Sequence, residues 1–144
     1  MSATALFTWM ATVVCGLILL VIWLMEYDSD FQSGTATRLP VPVISGHALL
    51  GISGLMVWGF YLVTDEDPLG WATVADLSVV VLLGLLMAAR WVTVYRAYAT
   101  PGSSASISVV TVPPERHFPI PVILIHGIFA FLTFGLVVYT VFFT

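Results

Sequence analysis

Four stretches of this chain are apolar over a length that suits a lipid bilayer better than any soluble core. They run from about Ala3 to Met25, Val41 to Val63, Trp71 to Val94 and Pro119 to Phe143. A membrane-spanning helix needs about 20 such residues. Inside lipid the backbone must satisfy its own hydrogen bonds, which a helix does within one segment. Composition agrees: of 144 residues 60% are hydrophobic and only 8% charged, against about a quarter charged in a soluble domain. The expected fold is an all-α integral membrane protein, a single transmembrane domain over 1–144. Its four helices are expected to form an up-down-up-down bundle. Trp9, Trp23, Trp58, Tyr61, Trp71, Trp91, Tyr95 and Tyr139 fall mostly toward span ends, where amphipathic rings meet the headgroups. The first stretch does not read as a signal peptide. It has no basic start and is followed by Glu26, Asp28 and Asp30 rather than a cleavage site of small residues.

Sidedness follows from the basic residues. Arg38 lies in the first loop, and Arg90, Arg96 and Arg116 lie around the end of the third span and in the third loop. The second loop, Thr64-Asp65-Glu66-Asp67-Pro68, has no basic residue. Positive residues stay on the cytoplasmic side. Loops one and three are therefore expected in the cytoplasm and both termini outside it, in a bacterial plasma membrane. The chain has no lysine and only these four arginines, which argues against nucleic-acid binding. Cys15, the single cysteine, has no internal disulfide partner.

A short segment occurs twice. Residues 39–47 read Leu-Pro-Val-Pro-Val-Ile-Ser-Gly-His, and residues 118–126 read Phe-Pro-Ile-Pro-Val-Ile-Leu-Ile-His. Each copy opens an even-numbered span. The chain thus reads as two repeated helix pairs, about 1–64 and about 71–144, related as a parallel repeat. Pro42 and Pro121 suit the first helical turn, which needs no backbone donor there. His47 and His126 fall five residues further on, roughly 7–8 Å into each helix at about 1.5 Å per residue. Ionisable residues inside a span are costly and point to function; the plainer reading is a hydrogen bond to a neighbouring helix. Beyond His47 come Gly51 and Gly54, and at the same offsets beyond His126 come Ala130 and Thr133. Such a stripe either lets helices pack closely or leaves room for a flat macrocycle. Gly46 and Gly127 flank the histidines.

In an up-down-up-down bundle the second and fourth helices are diagonal, so something must fill the space between the two histidines. A b-type haem with one imidazole on each axial position does so. A bare zinc or copper ion would want three or four protein ligands. The cofactor-binding set is therefore His47 and His126 as metal ligands, with Gly51, Gly54, Ala130 and Thr133 beside them. Arg90, at the end of the third span, is the expected propionate anchor, with Arg38, Arg96 and Arg116 just outside. On His47, His126 and this stripe the chain resembles the four-helix membrane b-type cytochromes, in which histidines of two non-adjacent helices grip a haem from both faces. Many members hold two haems with paired histidines on each helix. Here each helix has one, which implies a single haem near one face.

Other residues carry less. His117 is expected to face solvent. Asp76, a turn and a half into the third span, is expected near interfacial water, with a proton path or a partner subunit as alternatives. Met10, Met56 and Met87 read as gap-filling, although methionine can ligate haem. The long third loop, about 97–117, passes from Pro101-Gly102-Ser103-Ser104 to the β-prone Ile107–Val112 run; it is suited to docking a soluble partner or covering the haem mouth. Two functions remain open. One is an electron-transfer subunit of a respiratory-type chain, with one haem b between quinone and a partner protein. The other is a cofactor-free accessory or assembly subunit of a larger membrane complex. No nucleophile–base pair is visible, so catalysis by this chain alone is not expected, though it suits a subunit of an oxidoreductase complex. Imidazoles bonded to neighbouring side chains or carbonyls, with packed side chains between their helices, would favour the accessory reading.

Overall fold

The structure, a computed structural model, describes residues 2–33, 37, 39–99 and 113–143, with side chains over 2–27, 37, 39–96 and 113–143. Four long helices account for most of it: α1 (Ser2–Ser33), α2 (Val41–Thr64), α3 (Asp67–Ala99) and α4 (Ile120–Phe143). Each is long and apolar enough to cross a membrane, which suggests an integral membrane protein. A 3₁₀ turn, Pro114–His117, precedes α4 and lies against α1 and α3. Arg38 and residues 100–112 of the third loop lie outside the described residues. Both odd-numbered helices run past their apolar limits, α1 to Ser33 and α3 to Ala99. Polar residues beyond the apolar run do not end a helix when no glycine or proline intervenes.

The helix starts are alike in the two repeats. Val43 and Ile44 N–H both reach the Pro40 carbonyl (2.9 and 3.2 Å), and Val122 and Ile123 N–H both reach that of Pro119 (3.0 and 3.2 Å). Pro42 and Pro121 occupy the first turns, where a missing N–H costs nothing. The α2–α3 turn is tight. Asp65 takes a left-handed conformation (φ 55°) and its N–H closes on the Tyr61 carbonyl at 2.8 Å. An aspartate visits this region more readily than most non-glycine residues.

Helix α1 packs most extensively on α4, and α2 on α3. The α3–α4 and α1–α2 contacts are smaller, and α2 makes no backbone-level contact with α4 among the described residues. The even-numbered helices are therefore diagonal. Contacts along α2 meet α3 in reverse order: His47 with Val80, Gly54 with Asp76, Tyr61 with Gly70. One end of the bundle is filled by a core of Ala5, Trp9, Trp58, Leu77 and Val137. Outward, large apolar side chains such as Val63 (86% exposed) and Phe7 (69%) lie bare. That surface is compatible with lipid and unlike that of a soluble monomer.

Candidate functional site

The two histidines are held by backbone rather than by other side chains. His47, on α2, lies 3.0 Å through Nδ1 from the Val80 carbonyl of α3. His126, on α4, lies 2.9 Å through Nδ1 from the Thr12 carbonyl of α1. A carbonyl only accepts, so Nδ1 donates in both, which in a neutral imidazole leaves the lone pair on Nε2. Neither Nε2 has a hydrogen-bond partner among the described residues. The two ring centroids stand 6.1 Å apart with planes inclined at 60°.

The two imidazoles border open volume in the bundle. Both line a cavity of about 260 Å³ whose wall is almost wholly apolar. Its lining runs from Trp9 to Trp23 on α1 and from Leu77 to Trp91 on α3, a length of roughly 21 Å at about 1.5 Å per residue. Phe118 and Leu39 line the end that carries the 3₁₀ turn. The bonds to carbonyls match one half of what a cofactor-free reading requires. Both imidazoles also line the cavity.

The small residues divide between tasks. Gly51, Ala130 and Thr133 line the cavity, and a Cβ on Gly51 would meet nothing within 4 Å. The Gly51 carbonyl takes the Trp9 indole N–H at 3.1 Å. Thr133 is buried, and its hydroxyl donates to Thr8 Oγ at 2.9 Å, tying α4 to α1. Gly54 is not part of the lining: the Asp76 carboxylate and Trp9 crowd it, with no room for a Cβ. Asp76 is thus half-buried between α3 and α2, and its Oδ2 has no hydrogen-bond partner among the described residues. Arg90 is exposed and does not line the cavity, although its neighbour Trp91 does. One step along a helix turns the side chain by about 100°, enough to separate the two. Of the methionines Met87 lines the cavity, while Met10 and Met56 face outward. His117 is exposed, 3.6 Å from Glu26.

Several participants carry no obvious mark in the sequence. The bundle end near the 3₁₀ turn carries a partly buried polar chain: Trp23 Nε1 donates to Thr37 Oγ (3.2 Å), and Thr37 Oγ donates to Glu115 (3.1 Å). Glu115 is fully buried. Trp23 stacks on Tyr27 (4.6 Å), and Trp91 meets Tyr95 at a tilt (5.3 Å), with Arg116 over the Tyr95 ring at 4.8 Å. These pairs expose a second repeat. Thr12, Gly16, Trp23 and Tyr27 of α1 correspond to Val80, Gly84, Trp91 and Tyr95 of α3, each pair 68 positions apart. The Gly-x₆-Trp-x₃-Tyr spacing was readable in the sequence. His47, Gly54 and Trp58 correspond likewise to His126, Thr133 and Val137, 79 positions apart. The Thr8–Thr133 and Asp76–Gly54 contacts are then equivalent: where one half joins two hydroxyls, the other sets a carboxylate over a glycine. Neither a family model nor a curated protein nor a solved structure matches the chain.

Proposed function

We propose that this chain is an up-down-up-down bundle inserted in a membrane, that it holds one b-type haem between His47 and His126, and that it passes electrons between quinone and a partner protein. The observation that carries this is the pair of imidazoles on diagonal helices, each with Nε2 free of a partner among the described residues, bounding one apolar cavity. An imidazole nitrogen binds a first-row metal at about 2.0–2.1 Å, and its ring centroid lies about 1.1 Å behind it, so two rings on opposite sides of one metal sit roughly 6.3 Å apart. The observed 6.1 Å is close to that spacing, and lies also within the ordinary range for two neighbouring rings. A bare ion fits less well, because no group of three His, Cys, Asp or Glu gathers among the described residues. Haem brings four nitrogens of its own and needs only the two axial ligands. When bound, it would supply a one-electron iron couple. The chain's own part is to hold both ligands in place, line the ring with apolar side chains and keep water from it.

A second reading has one observation in its favour. Each histidine already pins two helices together, α2 to α3 and α4 to α1, and such pins alone would suit a cofactor-free accessory subunit. The test is haem content of the purified protein and its variants. On the haem reading His47→Ala and His126→Ala each abolish low-spin haem, the double variant is no worse, and His117→Ala changes nothing. A wild-type protein that is folded but takes up no haem would leave the accessory reading in its place.

A further inference from the structure

We infer that α1 and α3 carry two equivalent sockets, Thr12–Gly16 and Val80–Gly84, which fix both histidines as Nδ1–H tautomers and so turn a matched pair of Nε2 lone pairs toward one guest. The function proposed above names the ligands; this assigns the residues that position them, and its haem consequence rests on that function. In an α-helix each Cβ leans toward the N-terminus, so the side chain at position i+4 flanks the carbonyl of residue i. A glycine at i+4 leaves that carbonyl open from the side. Here the two acceptor carbonyls, of Thr12 and Val80, each lie four residues before a glycine. A Cβ added to Gly16 would stand 3.0 Å from His126 Cε1 and 3.4 Å from its Nδ1. A Cβ added to Gly84 would stand 3.1 Å from His47 Cε1 and 3.6 Å from its Nδ1. The same ring edge meets the same backbone feature on two different helices, and the residues that make it are 68 positions apart in both cases.

The sockets cross the repeats. His47 belongs to the first helix pair and docks on the second; His126 belongs to the second and docks on the first. Neither pair can complete the site alone. The arrangement also restricts the guest. Two unprotonated nitrogens offer electron pairs, so they suit a metal centre open on two opposite sides, and a carboxylate or other pure acceptor would find no donor in them. A backbone acceptor on Nδ1–H raises the donor strength of the ligating nitrogen and fixes the ring's orientation. Gly16 and Gly84 are positioning residues through their contact with the histidines, and both also line the cavity.

The first measurement needs no haem. In ¹⁵N-histidine-labelled cofactor-free protein in detergent, His47 and His126 should both show a protonated Nδ1 and an unprotonated Nε2, with exposed His117 as the internal comparison. Nε2–H tautomers at either position would overturn the sockets, whatever the protein does with haem. Nδ1–H tautomers in a protein that takes up no haem would uphold the sockets and overturn the haem reading. The second measurement is haem titration of Gly16→Ala and Gly84→Ala. Either methyl must push its imidazole back by a few tenths of an ångström. A displaced supporting contact typically costs about 10–100-fold in metal affinity, and that loss is expected in each, with a weakened low-spin signature. Gly135→Ala, where a Cβ meets nothing within 4 Å, should bind haem like wild type. Equal losses in all three variants, or none in the socket variants, would overturn the assignment.

Discussion

A histidine has two nitrogens, and which of them a fold occupies decides what the other is free to do. In His47 and His126 the occupied atom is Nδ1, and its partner is a main-chain carbonyl. The bond itself says little about function. Its consequence, an unpartnered Nε2 beside an apolar cavity, carries the reading. Gly51 tests the cavity directly. A Cβ there meets only open space, and Gly51 lines the cavity, so a larger side chain takes up cavity volume. Gly51→Leu should therefore lower haem content while membrane yield stays near wild type, because a side chain in a concave ligand pocket takes the guest's room. Yield falling together with oligomer integrity would make Gly51 a packing contact instead; a stable variant with full haem would contradict the pocket.

At the scale of the helix, the apolar lengths alone predicted four spans, and the structure has four helices at those places. The proline–histidine entry to α2 and α4 was also readable, because proline fixes a helix start and histidine is rare inside a span. The α1–α3 counterpart was harder to see. Its chemistry lies in two main-chain carbonyls, which leave no letter in a sequence, and in Gly16 and Gly84, which look like any other glycine of a membrane helix. The small residues on α2 and α4 form a stripe in the sequence, yet only part of it faces the cavity: Gly54 instead accommodates Asp76. Arg90 was placed by depth, which sequence gives, and not by helical phase, which packing decides. The closing turn was invisible for another reason. Glu115 and Thr37 are 78 residues apart, and nothing local marks them as partners. That turn yields a prediction. Thr37→Val removes the hydroxyl that takes the Trp23 N–H and donates to Glu115, leaving two buried groups short of a bond. A loss of about 1 kcal/mol in the closure should speed haem release roughly fivefold, measured by transfer to an apo-globin acceptor, and leave the absorption spectrum unchanged. An unchanged rate would mean the turn does not guard the cavity.

On the proposed function the whole molecule combines a membrane orientation with a single redox centre. Arg90, Arg96 and Arg116 gather at the end of the bundle that carries the 3₁₀ turn, while Asp65 and Glu66 lie between α2 and α3 and Asp67 opens α3. The positive end is expected in the cytoplasm, so a reporter fused after Thr144 should be active only outside it. Cytoplasmic activity would reverse the orientation without touching the site. The pseudo-symmetry ties the two helix pairs into one unit, because each histidine leans on the opposite pair. A centre assembled in this way should behave as a single species. The most direct measurement is therefore a reduced-minus-oxidised optical spectrum of the purified protein, expressed with haem available. The account predicts the sharp bands of a low-spin, six-coordinate b-type haem at one equivalent per chain. A folded four-helix protein with a featureless difference spectrum would contradict it.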